Sequence, residues 1–266
     1  MLSICAVIAV RNQVEYLETL LPILADQHID VAILDHDSGE KSQKLYARFA
    51  GAPIISVNHL RFNGIFSLNE VLAAKSKIYK RLKHDWVIHH DSDEILEHRQ
   101  VGKSLRNAIE EAHDQQYNVV NFDEFVFLPE AGRPVENHYT DILNYYFFEP
   151  RPLRLNRAWR RDMGFDNTPQ GGHILAGEKV RIAPSNQIMR HYIVLSNEHA
   201  QKKYLQRVFG KAEIAKGWHR NRLNITAENL AIPEQSPFIF KLPDYQSKDF
   251  RRDCPTKKHY WEWQDK

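Results

Sequence analysis

The first 125 residues alternate short apolar runs with segments in which apolar residues recur at helical spacing. The apolar runs predict buried strands at 3–10, 29–34, 53–57, 85–89 and 118–122. The periodic segments predict helices at 16–24, 41–49, 65–82 and 101–115. This repeated strand–helix order predicts a mostly parallel sheet with helices on both faces.

The pattern changes after residue 125. Up to about residue 157 the chain is rich in aromatic residues, proline and asparagine, which predicts extended pieces and loops. Two further strands are predicted at 180–183 and 187–194. Beyond about residue 217 the periodicity weakens into a tail that contains four prolines. We therefore expect three parts along the chain, at 1–125, 126–212 and 213–266.

The composition is that of a globular protein. The chain has 266 residues, of which 42% are hydrophobic and 26% charged, so it can bury a sizeable core. Its two cysteines, Cys5 and Cys254, have no metal-type spacing and make no disulfide framework. The apolar stretch 2–10 is too short to span a bilayer and has no basic segment ahead of it. We expect a cytoplasmic protein.

The two halves of the chain carry opposite net charge. Residues 1–150 contain 14 Lys and Arg against 22 Asp and Glu, whereas residues 151–266 contain 22 against 12. An acidic half suits a metal ion, and a basic half suits phosphates, an acidic glycan or an anionic membrane surface. The imbalance equally fits two solvated faces without functional meaning, so both interpretations stay open.

Polar or acidic residues follow each of the first four predicted strands. They are Arg11 and Asn12, then Asp35 to Ser38, then Asn58 and His59, and last His90 to Glu94. Ligands of open parallel sheets bind outside the carboxyl ends of the strands, so these residues are candidates for one binding edge. The chain has no G-x-G-x-x-G turn after the first strand and no G-K-[ST] loop, which argues against a dinucleotide dehydrogenase and a P-loop enzyme.

The tripeptide Asp91-Ser92-Asp93 directly follows the fourth predicted strand. Two carboxylates at this spacing can project toward one hard cation such as Mg²⁺ or Mn²⁺. The structural alternative is that Asp91 or Asp93 only caps the next element. His191, at the end of a late apolar strand, is a candidate to complete the coordination begun by Asp93, or else an ordinary surface or core histidine.

Two further segments carry groups with chemical potential. The stretch 150–161 has five arginines in twelve residues, and the planar guanidinium suits pyrophosphate or an acidic acceptor. A spacing of three residues between arginines also fits a solvated face. The stretch Gly171-Gly172-His173 is a flexible turn that ends in a candidate acid–base group, or simply a tight turn.

Four short motifs occur in an order and spacing that resemble the nucleotide-binding half of family 2-like glycosyltransferases of the GT-A fold. They are Ile8-Ala9-Val10-Arg11-Asn12, Ile33-Leu34-Asp35-His36-Asp37-Ser38, Ser67-Leu68-Asn69-Glu70 and Ile88-His89-His90-Asp91-Ser92-Asp93. Residues 171–207 resemble the closing part of a bacterial subfamily of these enzymes. The resemblance implies an α/β fold of GT-A type, with a mostly parallel nucleotide-binding sheet flanked by helices, a mixed acceptor-side region and a C-terminal helical tail.

The same resemblance implies a metal-dependent enzyme that moves a sugar from a nucleotide-diphosphate sugar to an acceptor hydroxyl, with inversion. By position, Asp93, His191 and Asp91 would bind Mn²⁺ or Mg²⁺, and Asp91 would also meet the ribose and the sugar. Asp35 would meet the base. The matching motifs place four more residues in the donor site, namely Val10, Asn12, Asp37 and Asn69.

The resemblance also bears on the parts of the chain and on its partners. Residues 1–125 would bind the nucleotide sugar, 126–212 would form the acceptor side of the same domain, and 213–266 would be an extension. A glycan or lipid-linked acceptor of bacterial polysaccharide or glycolipid synthesis is expected, and no nucleic acid. With a lipid-linked acceptor, the protein is expected to associate with the inner face of the membrane.

The catalytic base is where this chain departs from the family pattern. The Glu-Asp pair that usually supplies the base is absent from its expected place, and Asp166 and His173 are the candidates instead. Two other functions stay open. One is a nucleotidyltransferase, which would usually carry a glycine- and arginine-rich loop after the first strand, whereas residues 11–15 of this chain contain no glycine. The other is a non-catalytic protein that binds a nucleotide or glycan on the same scaffold.

Overall fold

A computed structural model of the protein describes residues 1–133, 135 and 138–263. Its strands, in chain order, are β1 Ile4–Val10, β2 Asp30–Asp35, β3 Ile54–His59, β4 Trp86–Asp91, β5 Glu94–Glu97, β6 Val119–Phe127, β7 Asn144–Phe148, β8 Asn156–Arg160, β9 Gln187–His191 and β10 Phe240–Lys241. The helices are α1 Val14–Asp26, α2 Glu40–Arg48, α3 Leu68–Arg81, α4 Leu105–Asp114, α5 Asn197–Tyr204 and α6 Lys211–Ala215. Within the described residues, none of these helices is long and apolar enough to cross a bilayer.

The predicted parallel sheet is confirmed. Strands β3, β2, β1 and β4 lie side by side in that order, and each neighbouring pair is parallel. Val10 pairs with Asp35, Asp35 with His59, and Ala9 with Asp91. The carboxyl ends of four strands therefore meet at one edge, and each delivers the polar residues that follow it.

The other side of the sheet is antiparallel. Strand β8 runs antiparallel to both β4 and β6, and β7 runs antiparallel to β6. Strand β9 joins this side of the sheet, where it pairs in parallel with β6 and antiparallel with β5. This last pairing is the link that brings residues near 190 back to the loop that follows β4.

The helices begin where the sequence supplies capping side chains. The Ser67 hydroxyl accepts a hydrogen bond from the Glu70 N–H at 3.2 Å and so caps α3. Ser104 and Asn107 form a reciprocal capping box at the start of α4. Their apolar faces then pack on the sheet, since Val71, Leu72 and Ile109 are all buried.

The C-terminal extension, 213–266, packs on the antiparallel half. In its described part it consists of short helical turns and the two-residue strand β10, joined by irregular chain. Phe250 stacks on Phe125 with ring centroids 4.1 Å apart, and Leu230 and Trp261 are buried in the same half of the molecule. The division into three parts stays a prediction.

Several predicted elements differ from the observed ones. The strand predicted at 180–183 is wrong, because only Ile182 forms a bridge there, to Val119. The strand predicted at 187–194 ends at His191. The four-residue strand β5 was not predicted, because so short a segment has no periodicity of its own and exists only by pairing with β9.

Truncation of a central side chain should show how much the parallel sheet contributes to stability. Ile33 on β2 is fully buried, so we expect Ile33→Ala to lower the free energy of unfolding by about 2–5 kcal/mol. Ile55 on the neighbouring β3 is 42% exposed, and Ile55→Ala should cost about 0.5 kcal/mol or less. Urea unfolding followed by circular dichroism measures both. Equal losses in the two variants would contradict the burial of Ile33.

Candidate functional site

The candidate site is built on the turn between β4 and β5. Asp91 ends β4, and Ser92 and Asp93 make the turn before β5 begins at Glu94. The Asp91 side chain is 44% exposed, whereas that of Asp93 is only 11% exposed. The Asp91 carboxylate is therefore open to solvent, whereas the Asp93 carboxylate is mostly covered by protein.

Two buried cations hold the Asp91 carboxylate. The Lys75 ammonium, fully buried, donates to the His90 carbonyl at 2.7 Å and lies 3.3 Å from Asp91 Oδ1. The Arg157 guanidinium lies 3.5 Å from Asp91 Oδ2 and also contacts Glu94. Partial desolvation of Asp91 alone would raise its pKa, but these two cations outweigh that effect and hold the pKa well below its usual value. Asp91 is therefore ionised at neutral pH.

Asp93 has its own cation. The Lys203 ammonium, from α5, donates to Asp93 Oδ2 at 2.6 Å and to the Ile193 carbonyl at 2.8 Å. His191 Nε2 lies 3.5 Å from the same Asp93 oxygen. Burial opposes ionisation, but Lys203 and His191 together hold the pKa of Asp93 well below its usual value.

The β5–β9 pairing explains how His191 reaches this turn. Glu94 and His191 are register partners, and the Tyr192 N–H donates to the Asp93 carbonyl at 2.8 Å. On its other side, His191 Nδ1 lies 2.6 Å from Glu124 Oε1 on β6. Glu124 in turn contacts Arg154. The imidazole is therefore oriented with Nε2 toward Asp93.

Asp93 and His191 present two donor atoms, 3.5 Å apart, that could bind the same divalent cation. A carboxylate that fixes the far nitrogen of a histidine, as Glu124 does here, is the usual outer support of a metal ligand. Among the described residues, no three His, Cys, Asp or Glu side chains form a complete metal-binding group. A cation at Asp93 and His191 would therefore take its other ligands from water and from a bound phosphate compound. Lys203 already engages the Asp93 oxygen that such a cation would use.

The predicted nucleotide-side residues lie along the same edge but are held by protein contacts. The carbonyl of Val10 accepts the His36 N–H at 2.8 Å. Asp35 is buried, and its carboxylate accepts hydrogen bonds from Tyr46 and Gln43 at 2.9 and 3.2 Å. This arrangement fixes the loop after β2, and contact between Asp35 and a base stays a prediction.

Three more residues that were predicted to bind the nucleotide-sugar donor are exposed. Asn12 and Asp37 both have positive φ, and their side chains accept backbone N–H groups of Gly39 and Phe62 at 2.7 Å each. Asn69 lies in the first turn of α3, where its N–H donates to Glu213 Oε1 at 2.7 Å. Their roles in donor binding also stay predictions.

The two candidate bases differ in their surroundings. Asp166 is exposed, and its carboxylate accepts the Thr168 N–H at 2.9 Å. His173 Nδ1 lies 3.5 Å from Arg154 Nη1, and Arg157 donates to the carbonyl of the preceding residue, Gly172, at 3.3 Å. Burial and these two arginines lower the pKa of His173 well below its usual value, so its imidazole is neutral at neutral pH. Neither residue is assigned as the base by these contacts.

The sequence analysis did not predict that cations of this chain pair with the carboxylates of the site. Lys75 continues the apolar face formed by Val71, Leu72 and Ile78, and a lysine on such a face was a signal that it is buried and paired. The idea of a solvated arginine face is wrong for Arg154 and Arg157, because both are buried against carboxylates of the protein. The sequence contained no comparable signal for Lys203.

Two other arginines lie near the site, and both contact aromatic rings. Arg207 lies over the Phe66 ring, 4.7 Å from its centroid, and Arg222 lies 5.5 Å from that of Tyr204. Among the described side chains, no carboxylate lies within 4.0 Å of either guanidinium. Burial, together with the nearby charge of Arg222, lowers the pKa of Arg207. Arg207 thus places a positive charge near Asp93.

No protein-family model matches the sequence, and no curated protein matches it. Among solved structures, the chain is similar to S. aureus TarS 1-349, with 12% identity and a TM-score of 0.44 over 77% of this chain and 65% of that one. For the complex of TarS 1-349 with UDP-GlcNAc, the identity is 13% and the TM-score 0.44, over 72% of this chain and 58% of that one. For a candidate nucleotide-diphospho-sugar transferase from Desulfovibrio desulfuricans G20, the identity is 12% and the TM-score 0.38, over 86% of this chain and 94% of that one. The chain spans less than two thirds of TarS 1-349, and a likeness of this size assigns no function to it.

The packing behind Asp91 should not tolerate a side chain at Gly172. Gly172 has φ +85°, and a Cβ there would lie 3.1 Å from Leu72 and 3.2 Å from His89 Nε2. We expect Gly172→Ala to cost more than the roughly 1–2 kcal/mol that positive φ alone imposes on alanine. Gly102 has φ +78° and open space around its Cβ position, so Gly102→Ala measures the backbone term alone. Chemical unfolding of the two variants gives the difference, and equal losses would contradict the contact with His89.

Lys203 and a divalent cation should compete for Asp93. Replacing Lys203 by Met removes the ammonium from Asp93 Oδ2, so Mn²⁺ should bind about ten-fold more tightly or better. Calorimetric titration of the protein alone with MnCl₂ measures the change. Lys202→Met, at the exposed neighbouring position, is the control and should leave Mn²⁺ binding unchanged. Unchanged or weaker Mn²⁺ binding in Lys203→Met would show that the two cations do not share this carboxylate.

Proposed function

We propose that the protein is a metal-dependent glycosyltransferase that moves a sugar from a nucleotide-diphosphate sugar to an acceptor hydroxyl. The observation that carries the proposal is the convergence of Asp91, Asp93 and His191 at the carboxyl edge of the parallel sheet. This edge is where open α/β sheets bind their ligands. The resemblance of the sequence motifs to family 2-like glycosyltransferases supports the same conclusion.

The donor's sugar and ribose hydroxyls are proposed to meet Asp91. Its carboxylate is ionised and 44% exposed, so it can accept hydrogen bonds from a ligand while Lys75 and Arg157 hold it in place. Because both cations are buried, they fix the carboxylate without blocking its open side. On the nucleotide side, the proposed contacts come from Val10, Asn12, Asp35, Asp37 and Asn69.

The donor's diphosphate is proposed to lie over Asp93. Bound there by Asp93 and His191, Mn²⁺ or Mg²⁺ would stabilise the negative charge that grows on the leaving diphosphate. Lys203, which donates to Asp93, is proposed to turn its ammonium to a phosphate oxygen when the donor binds. Arg207 and Arg222, which lack carboxylate partners among the described residues, add positive charge on the same side.

The proposed reaction is a single displacement. The acceptor oxygen forms a bond to the anomeric carbon, the bond from that carbon to the diphosphate oxygen breaks, and the nucleoside diphosphate leaves with the electron pair. The acceptor's proton passes to a base, for which Asp166 and His173 are the candidates. The result is inversion at the anomeric carbon.

The acceptor is proposed to be a glycan or a lipid-linked molecule of bacterial polysaccharide or glycolipid synthesis. Residues 151–266 carry 22 Lys and Arg against 12 Asp and Glu, and a surface of this charge attracts anionic acceptors and anionic lipid. The proposed location is the cytoplasm, at the inner face of the membrane.

A non-catalytic protein that binds a nucleotide sugar is the second candidate. The observation that favours it is the state of the two candidate bases, since Asp166 caps a turn and the pKa of His173 is lowered by burial and arginines. Both candidates predict donor binding, and only the enzyme predicts turnover. Release of free nucleoside diphosphate in the presence of an acceptor extract distinguishes them.

A ligand panel tests donor binding directly. Thermal unfolding is measured with uridine, guanosine and thymidine diphosphates and their sugars, each with and without Mn²⁺. A ligand present at about 100 times its dissociation constant stabilises a protein by about 2.7 kcal/mol, which raises the melting temperature measurably. No stabilisation by any of these compounds, even with Mn²⁺, would contradict the proposed function.

Asp93→Asn should remove the metal-dependent part of that stabilisation. The amide keeps the size of the side chain but loses the charge that binds the cation, so the diphosphate charge stays uncompensated. We expect donor affinity in Mn²⁺ to fall at least ten-fold, roughly 1.4 kcal/mol or more. Asp114→Asn, at an exposed position at the end of α4, is the control. An unchanged response to Mn²⁺ in Asp93→Asn would retire Asp93 as a metal ligand.

A further inference from the structure

Exposed apolar side chains gather beside the candidate site. Of the large apolar residues that are exposed in the described part of the chain, four come from two neighbouring segments, 61–66 and 205–223. They are Ile65, Leu205, Val208 and Leu223, with exposed fractions of 45%, 43%, 57% and 49%. We call these four residues the apolar rim.

Direct contacts join the two segments of the apolar rim. The Phe66 N–H donates to the Val208 carbonyl at 2.8 Å, and Phe66 forms a β-bridge with Phe209. Gly210 lies against Ile65, since a Cβ at Gly210 would be 3.8 Å from the Ile65 side chain. Exposed apolar side chains that lie together in contacting segments indicate an interaction surface, whereas single scattered ones are common on any protein.

The same stretch is strongly basic. Residues 202–222 contain seven Lys and Arg and a single acidic residue, Glu213. Glu213 is buried, and its carboxylate accepts hydrogen bonds from Ser67 and the Asn69 N–H, so it does not neutralise the surface. Lys202, Lys211 and Lys216 are exposed. Apolar side chains bordered by unneutralised cations match a lipid surface that carries anionic headgroups.

The apolar rim also borders the candidate site. Lys203, at the end of α5 just before Leu205, donates to Asp93 at 2.6 Å. Trp218 lies beside Gly171, which precedes the glycine that packs on His89. The Lys216 ammonium lies 5.2 Å from the centre of the Trp218 ring. A surface that contacts the apolar rim would therefore lie next to the candidate site.

We propose that the apolar rim and its flanking lysines dock this protein on a bilayer that contains anionic phospholipid. Leu205 and Val208 enter the interface, and Lys202, Lys211 and Lys216 lie at headgroup level. Docking places Asp91 and Asp93 beside the membrane. A lipid-linked acceptor would reach them there, and this step rests on the proposed function.

Co-sedimentation with vesicles tests this docking. The full chain is mixed with vesicles of phosphatidylcholine alone, or of an equimolar mixture of phosphatidylcholine and phosphatidylglycerol. We expect binding to the mixed vesicles only, and about a ten-fold weaker partition for the double variant Leu205→Asp, Val208→Asp. Val101→Asp, at a side chain that is 71% exposed on a distant loop, is the matched control and should bind like the parent protein.

The basic component is tested separately. Lys211→Gln with Lys216→Gln should weaken binding to the mixed vesicles by about ten-fold, whereas Lys41→Gln with Lys44→Gln, exposed on α2, should not. Unchanged melting temperatures and circular dichroism spectra show that the variants are folded. Thermal stabilisation by the nucleotide panel should be equal in all of them.

Three outcomes would overturn the docking. The first is no binding to mixed vesicles. The second is binding that salt abolishes and that Leu205→Asp, Val208→Asp leaves unchanged, which is attraction to any polyanion. The third is a dimer in sedimentation velocity that the same variant dissociates, which makes a second copy the occupant. Donor binding without vesicle binding overturns this proposal alone, and vesicle binding without donor binding overturns the proposed function alone.

Discussion

The candidate site depends on the charge balance around two carboxylates, Asp91 and Asp93, at the edge of a buried sheet. Their counter-ions come from three separate elements, Lys75 from α3, Arg157 from β8 and Lys203 from α5. A buried ion left without its partner costs several kcal/mol, so these elements can only pack together when the charges meet. The geometry of the site and the packing of the sheet are therefore a single arrangement.

A second layer of buried polar contacts extends this arrangement into the antiparallel half. Glu124 on β6 holds His191 on one side and Arg154 on the other, and Arg190, next to His191, donates to Glu97 at 2.7 Å. Such a network keeps side chains in one orientation, because each group would be left unsatisfied if it turned away. This rigidity suits the proposed reaction, in which charge would develop on the diphosphate and be met by groups already in position.

The stretch that follows β9 links the interior of the site to the protein surface. It supplies Lys203 to Asp93, then exposes Leu205 and Val208 a few residues later. Contact of this stretch with a lipid surface would act on the same helix end that positions Lys203. Donor binding and membrane docking, if both occur as proposed, therefore share a structural element rather than lying on independent parts of the molecule.

The sequence by itself determined the parallel half of the fold and the edge where the site lies. Continuous apolar runs and helical periodicity are local signals, so β1 to β4 and α1 to α4 could be predicted, and the polar residues after each strand marked the edge. Only the tertiary structure decided the rest. The short strand β5 exists through its pairing with β9, and no local pattern encodes a partner some ninety residues away along the chain. For the same reason, the spacing of the arginines fitted a solvated face equally well, and the burial of Arg154 and Arg157 followed from carboxylates on other strands. The partner of a charged side chain is set by which distant elements pack against it, and that is a property of the fold.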